Sequence, residues 1–503
     1  MAGRFLNFFG AFIRLTPEIK QPDHEISFRD KMIWTFVVLI VFLVMSNIPI
    51  YGIKIEESTD YFYWLRVILA SQRGTLTELG IGPIVTAGLI MQLLQGAKLI
   101  EMNMNDPHDR SLFTGSQKVM GVFLTIFQII AYIYGGAFGA PDQIATVDKI
   151  LIFVQLLFAG IIIILLDEIL QKGWGLGSGI SLFIAAGVAG QIFWNSFSNV
   201  PIQTGNADGL SRGIIVAFFQ VVFNPEIKHA YTEKTMTVWD LFIRDAGAPD
   251  FLGLLTTILI FLVSIYIETM RVEIPLQYTQ YRGFKGKYPM KLLYVSNIPV
   301  ILAQALYANF LFFGQIIAGP TASTRVNHPE WKAWLDIIGT FEQSEGTSYL
   351  KPTGGIIYYL TPPQGLSLLI KGEVEGNPWV HGIVYLIIFL FLCIKLGQVW
   401  VEVSGLGPQE IASQIVDSKM QIKGFRKSDA VVEKILQQYI PTLTILCGAI
   451  IALLSFGADF LGALSSGTGL LLMVGIIQNY AETISKEAAA EQYPAMRALL
   501  GID

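Results

Sequence analysis

Charge is scarce in this chain. Only 15% of its 503 residues are Asp, Glu, Lys or Arg, against 53% hydrophobic residues, with a mean hydropathy of +0.54. That balance excludes a soluble globular protein and implies a polytopic membrane protein. Cysteine is nearly absent: Cys393 and Cys447 both lie in apolar runs, so they read as packing residues and no disulfide framework is expected. The five histidines, His24, His108, His229, His328 and His381, have no ligand spacing. No P-loop, HExxH, CxxC or GxSxG sequence occurs either. No enzyme, catalytic residue, metal or cofactor is therefore expected. A net charge of −5 excludes a generally basic DNA binder. Acidic residues are also missing from the middles of the apolar runs. Asp167, Glu168, Glu268 and Glu402 fall near run ends, and Lys395 is placed to snorkel. The ion-coupling sites of a secondary transporter are thus lacking.

What is present is a series of apolar segments long enough to cross a bilayer, at about 31–52, 79–97, 117–136, 149–170, 178–197, 251–270, 291–314, 380–401, 437–456 and 460–480. The segment 211–223 is too short and is expected on the membrane surface. Sorting the 34 Lys and Arg by loop puts the larger share on the side of both termini, which the positive-inside rule makes cytoplasmic. Residues 1–30 are read as a cytoplasmic amphipathic N-terminal segment, with 1–20 retained at the interface rather than cleaved. The N-terminal half covers 31–197, an external connection 198–250, the C-terminal half 251–480 and a cytoplasmic tail 481–503. Five spans per half invert a duplicated half, giving a pseudo-two-fold axis in the membrane plane.

One span is broken. Residues 79–95, LGIGPIVTAGLIMQLLQ, begin on Gly-x-Gly-Pro. Proline at a helix start loses nothing, because its missing N–H would be unpaired there anyway. Bare backbone cannot face lipid, so the segment should line an interior cavity. IGPIV at 81–85 and NIPVI at 297–301 each open the second span of a half with a proline, a short match that favours the repeat. Before the broken span, 57–72 is a short amphipathic helical pattern. It either folds back into the external mouth or lies at the interface with Tyr61, Tyr63 and Trp64 at headgroup level.

Two cytoplasmic loops, 271–290 and 402–436, carry basic tips. The first reads as a hairpin, VEIPLQYTQY turning through RGFKGK into YPMKLLYV. Their charges either set topology or dock onto a polyanion such as ribosomal RNA, and projection away from the membrane favours docking. Thr86, Gln92, Gln128, Asn297 and Gln304 are uncharged polar residues within spans, the kind that hydrogen-bond between helices.

Taken together, GIGPIVTAGLIMQLL, GSGISLFIAAGVAG, YVSNIPVILAQAL, the GFRKSD turn and the five-plus-five layout resemble the SecY family, channel subunits of the Sec protein translocase, in its archaeal and eukaryotic-like branch. The likeness covers nearly all of residues 1–490. It implies an all-α polytopic membrane protein with ten transmembrane helices in two inverted five-helix halves and a short re-entrant plug helix. The function it implies is a protein-conducting channel that passes unfolded polypeptides through a central pore and releases transmembrane segments through a lateral gate. By motif, the pore ring would be Ile81, Val85, Ile180, Ile184, Ile301 and Leu472. The plug would be 57–72, with Tyr61, Phe62, Trp64, Leu65 and Ile68. Thr86, Gln92, Gln128 and Asn297 would lie at the lateral gate, and Arg282, Lys285, Lys287, Arg426 and Lys427 would dock the ribosome through ribosomal RNA. Implied partners are SecE and Sec-beta, the ribosome, signal peptides with their nascent polypeptides, and the lipid bilayer. The implied location is the cell (plasma) membrane, multi-pass, with both termini cytoplasmic. The external loop 318–378 departs from the compact pattern of the family and has no assigned role.

Two rivals remain at this stage: a secondary transporter built on inverted repeats, and an insertase with no through-pore. The topology has its own check. Epitopes at residue 1 and at residue 503 should both be digested by protease added to the cytoplasmic side of sealed vesicles. Protection of either one would require an odd number of spans.

Overall fold

The structure is a computed structural model and describes residues 9–10, 12–14, 16–24, 26–53, 66, 69–96, 99–100, 107–135, 137–138, 144–201, 210–224, 235–244, 248–278, 285–295, 298–318, 331–343, 350–363, 366, 370, 377–417, 420–422 and 429–492. Its first five long helices are α1 (Phe28–Met45), α2 (Gly82–Gly96), α3 (Pro107–Tyr134), α4 (Thr146–Gln171) and α5 (Gly179–Phe197). A ten-residue helix α6 (Ile214–Phe223) follows in the connection. After it come α7 (Phe251–Thr269), strands β1 (Arg271–Tyr278) and β2 (Lys285–Lys291), and α8 (Ile298–Ala318). Then follow α9 (Lys332–Ile338), β3 (Thr340–Gln343), β4 (Leu350–Gly354), α10 (Gly355–Leu360) and α11 (Pro378–Val403). The chain continues through α12 (Pro408–Asp417), β5 (Met420–Ile422), α13 (Asp429–Phe460) and α14 (Gly467–Gln492).

Seven helices, α3, α4, α5, α7, α8, α11 and α13, are long and apolar enough to cross a membrane by length and composition alone. The other three long helices fall short for visible reasons. α1 opens on Arg29, Asp30 and Lys31, α2 has only 15 residues, and α14 runs on into the polar segment Glu482–Gln492. Helix ends also depart from the apolar runs. α13 starts eight residues before 437 and α14 runs beyond 480, because a helix need not stop where the hydrocarbon does. α8 starts at 298 rather than 291, since β2 occupies the residues up to Lys291.

The starts of the long helices have visible anchors. Ser27 Oγ accepts from Asp30 N in α1, Asp250 Oδ1 accepts from Gly253 N at 2.7 Å in α7, and Asn377 accepts from Val380 N in α11, where Pro378 occupies the first turn. Two aspartates, Asp167 buried and Asp459 partly buried, do the same over a longer reach. Asp167, near the end of α4, accepts from Ile180 N (3.0 Å) and Ser178 Oγ at the start of α5, and from Gln171 Nε2 one turn along its own helix. Asp459, near the end of α13, accepts from Gly467 N (2.6 Å) at the start of α14. α4–α5 and α13–α14 are the fourth and fifth long helices of their halves, so one device recurs at equivalent places in the repeat.

Within the first half α2 packs on α3, α3 on α4, and α1 against α4 and α5; in the second, α8 and α13 flank α11, and α14 lies against α7 and α13. The halves meet along two seams, α2 against α8 and α11, and α5 against α14. α2 and α8 are both second in their halves, and α5 and α14 both fifth, the pairing that a two-fold axis between inverted halves requires.

The expected hairpin is present: β1 and β2 pair antiparallel from Arg271↔Lys291 to Gln277↔Lys285. A third strand, β5 from the other basic loop, joins the free edge of β1 with Leu276↔Ile422. One sheet therefore ties both basic loops together, and it marks one side of the helix layer, called the sheet side below. On the same side Lys118 bonds Glu168 at 2.7 Å, and Lys172 bonds Glu18 at 2.6 Å and Glu168 at 3.1 Å. This cage straps the N-terminal segment to α3 and α4. The Lys172 ammonium, hydrogen-bonded to Glu18, holds that carboxyl below its ordinary range.

The aspartate caps leave no room for a side chain at the helix starts they serve. A Cβ on Gly179 would lie 2.7 Å from the Asp167 Cα, and one on Gly467 would lie 2.1 Å from the Ser455 carbonyl oxygen. Gly179→Ala and Gly467→Ala are each expected to cost about 1–3 kcal/mol through forced backbone shifts, seen as a lower aggregation temperature in detergent. Gly190→Ala, at an open helical position, should leave that temperature unchanged or raise it.

Candidate functional site

The candidate site is built around the start of α2. Gly80, with φ +53°, makes the turn into the helix, and a Cβ there would lie 2.0 Å from the Leu69 carbonyl oxygen. That carbonyl accepts from Ile81 N at 2.8 Å, so a backbone donor at the helix start is paired within the protein. Below it, Glu78 is buried but not alone. Its carboxylate takes Arg66 at 2.9 Å and the Gly74 amide, and Ser71 Oγ donates to the Glu78 carbonyl. Sequence reading did not foresee this ion pair, because Arg66 and Glu78 are twelve positions apart in a segment without regular periodicity. The remainder of the expected plug, with Tyr61, Phe62, Trp64, Leu65 and Ile68, lies outside the described residues.

The six aliphatic residues expected at the ring come from four different helix starts, and all belong to or pack against one apolar cluster. Ile81, Ile184 and Leu472 are fully buried and Val85 nearly so, while Ile180 and Ile301 are partly covered. Their positions follow the repeat. Val85 and Ile301 each stand three residues after the first residue of α2 and α8, and Ile184 and Leu472 each stand five after the first residue of α5 and α14. Burial alone does not separate Leu472 from Leu470 and Leu471. Leu471, however, lines a small cavity with Ser264, Ile267 and Glu268 of α7 and Ile451 of α13, which points it outward through the second half. The equal offset singles out Leu472.

Among the described residues, the seam of α2 and α3 against α8 and α11 holds few polar contacts. Thr86 on α2 accepts from Asn309 Nδ2 on α8 at 3.1 Å, and the same amide donates to Ala305 O at 2.7 Å. Asn309 was not among the polar residues singled out by sequence. Asn309 is one of three amide side chains on α8, with Gln304 and Gln315, and nothing in the sequence sets it apart as the one at the seam. Gln128 of α3 lies against the start of α2, its Oε1 3.8 Å from where a Gly82 Cβ would sit. Gln92 Oε1 is enclosed and takes no hydrogen bond among the described residues. Asn297 lies outside them. Gln304 belongs elsewhere: its Nε2 donates to Thr468 Oγ1 at 2.9 Å, and Thr468 in turn pairs with Ser455, all inside the second half. Phe127 and Phe313, 6.1 Å apart, meet across α3 and α8.

The opposite seam is denser. Asn195 Nδ2 donates to Leu464 O (2.7 Å), Ser465 Oγ to Gln191 Oε1 (2.8 Å) and Tyr480 OH to Ser178 O (3.0 Å). The sheet-side extension of α14 adds Glu487 to Lys31 at 2.7 Å. Of the expected docking residues, Lys285 and Lys287 lie on β2, paired with Gln277 and Pro275 of β1. Arg282, Arg426 and Lys427 lie outside the described residues. Among the described residues no group of acidic, histidine or cysteine side chains has the arrangement of a metal site.

Comparison with known proteins agrees with this geometry. The profile of the SecY family matches residues 75–481, and that of the plug domain of Sec61p matches residues 40–74. The protein transport protein Sec61 subunit alpha of Dictyostelium discoideum is 41% identical over 487 residues, covering 97% of this chain and 98% of that one. Among solved structures, a protein conducting channel superposes with a TM-score of 0.76 at 36% identity, covering 96% of this chain and 98% of the other. Sec61 in the canine ribosome-channel complex from the endoplasmic reticulum does so with a TM-score of 0.73 at 35% identity, with the same coverage. The chain therefore belongs to the SecY family and is the channel subunit of a Sec protein translocase.

Proposed function

We propose that Ile81, Val85, Ile180, Ile184, Ile301 and Leu472 form the seal of this protein-conducting channel, and that the α2–α3 and α8–α11 seam is its lateral exit into lipid. The observation that carries the reading is the pair of equal offsets: four inverted helix starts each send an aliphatic side chain to one cluster. A narrow aliphatic neck dewets and so blocks ions, while its side chains yield to a passing chain. At the seam, a segment of about 20 apolar residues prefers hydrocarbon to the pore and leaves sideways.

Residues 57–72 act in this reading as a plug seated against the ring from the side opposite the sheet. The sheet that joins the two basic loops presents Arg282, Lys285, Lys287, Arg426 and Lys427 to ribosomal RNA, where each phosphate contact adds salt-sensitive affinity. Support comes from the β1–β2 pairing, which forms the hairpin that the sequence expected to carry charge away from the membrane, and from the ribosome-bound canine relative. SecE and Sec-beta are the small partners in this scheme, with signal peptides and nascent chains as clients. Both termini face the cytoplasm and the chain sits in the cell membrane; recovery of the tagged chain from an internal membrane fraction would place it instead where the canine relative is found. We propose the same boundaries for the halves as the sequence suggested, 31–197 and 251–480, joined by 198–250.

A cysteine at Ile301 tests the pore. A stalled secretory chain should crosslink to it specifically, while a cysteine at lipid-facing Leu259 should not react. Crosslinks confined to the outer surface would replace the channel with an insertase. Deleting 57–72 should give single-channel conductance in planar bilayers, whereas an insertase would stay silent. Thr86→Ala removes the cross-seam hydrogen bond, worth about 1 kcal/mol. It should favour the open seam roughly five-fold by the same arithmetic and let less hydrophobic signal sequences initiate transport. An unchanged hydrophobicity threshold would show that this bond does not hold the gate.

A further inference from the structure

The segment between α8 and α11 contains a small unit, α9, β3, β4 and α10, with an uneven surface. Leu335 is buried and Ile357 is buried with it, but Trp334 is 73% exposed, Ile337 54% and Ile356 59%. Trp331, half exposed, lies next to them. Large apolar side chains on a short helix outside the spans need a partner, and their position in the fold says which one.

The unit does not project away from the helix layer. Ile338 and Ile357 pack onto Gly314, where a Cβ would lie 3.9 Å from Ile338 Cγ2 and 1.9 Å from Ile357 Cδ1. Gly314 is four residues short of the end of α8. On the other flank Tyr358 stacks on His381 at 4.1 Å, and His381 is the fourth residue of α11. Both attachments sink the unit about one helical turn, roughly 5–6 Å, below the ends of the helices that hold it. The same end of the layer carries other exposed aromatics at span termini, Tyr51, Tyr134, Trp194 and Trp379, the arrangement of an interfacial belt. A third marker rests on the ring reading. With Ile301 at the bilayer centre, Gly314 stands thirteen residues along α8, about 20 Å away along its axis. The hydrocarbon boundary is at about 15 Å and the headgroup layer extends to about 22 Å.

We infer that the Trp334, Ile337 and Ile356 face is a membrane anchor, seated in the headgroup layer of the leaflet opposite the sheet, beside the end of the seam helix α8. Its ligand is the lipid interface. Exposed Lys332 on the same helix suits that layer, with its ammonium placed toward phosphate.

The test uses the full chain in lipid vesicles with Trp334→Cys carrying an environment-sensitive fluorophore. Cys393 and Cys447 are fully buried and stay unlabelled under native conditions. The label should show blue-shifted emission, strong quenching by a spin label at the shallow acyl position of the lipid and little quenching by aqueous iodide. Asp23→Cys, exposed on the sheet side, supplies the aqueous reference. Iodide quenching equal to that reference would overturn the anchor, and protection from both quenchers would mean that a protein surface, such as a second copy, covers the face. Ile337→Cys repeats the measurement should the Trp334 variant fold poorly. Crosslinking at Ile301 does not depend on this result, so the anchor and the pore can fail separately.

Discussion

A helix that starts inside a membrane leaves backbone N–H groups with no water to bind, and the protein must pair them itself. That constraint governs this molecule. At α2 the Leu69 carbonyl answers Ile81, at α5 Asp167 answers Ile180, and at α14 Asp459 answers Gly467. Each partner must be held close, so each start is pinned to the element before it: the segment 66–78, α4 or α13. The glycines at Gly80, Gly179 and Gly467 follow from the same demand, since a Cβ at any of them would meet backbone within 3 Å. The interrupted helices can line a central space only because their starts are sealed in this way.

The two seams between the halves differ in the hydrogen bonds that cross them among the described residues. On the α5–α14 side three hydrogen bonds cross between buried or half-buried groups, and an ion pair fastens α1 to the extension of α14. On the α2–α8 side a single side-chain hydrogen bond and two aromatic contacts, Phe127 with Phe313 and Tyr132 with Phe312, are described. The α5–α14 side carries more of the described cross-seam hydrogen bonds, which supports the α2–α8 side as the proposed exit.

Much of this was legible in the sequence because the signals are covalent or periodic. Gly-x-Gly-Pro and NIPVI marked the interrupted starts, and the alternation VEIPLQY with its glycine turn marked the hairpin. The features missed are those whose partners lie far apart along the chain. β5 has only three residues, too few for a pattern, and is a strand because β1 offers it an edge. Asn309 was invisible as a seam residue until Thr86 was opposite it, 223 positions away. The extension of α14 beyond 480 was read as tail because hydropathy reports the membrane and not the helix. Its Glu482 and Glu487 find Lys291 and Lys31 on the surface.

The repeat also shows how the proposed ring can be flat. The starts of α2 and α14 lie on the side opposite the sheet and those of α5 and α8 on the sheet side, as alternation along the chain requires. Val85 and Ile301 share one offset and Ile184 and Leu472 another, so the two-fold axis sends each member of a pair to the mirrored depth. Mirrored depths coincide only at the centre of the bilayer. For the proposed ring, offsets of three and five residues are about 4.5 and 7.5 Å of helix, which puts the four starts near the middle of the membrane. Any substitution that lengthened one start by a turn would move one side chain out of the ring by about 5 Å, and no compensating shift in the other half would follow, because the duplicated halves are now separate sequences.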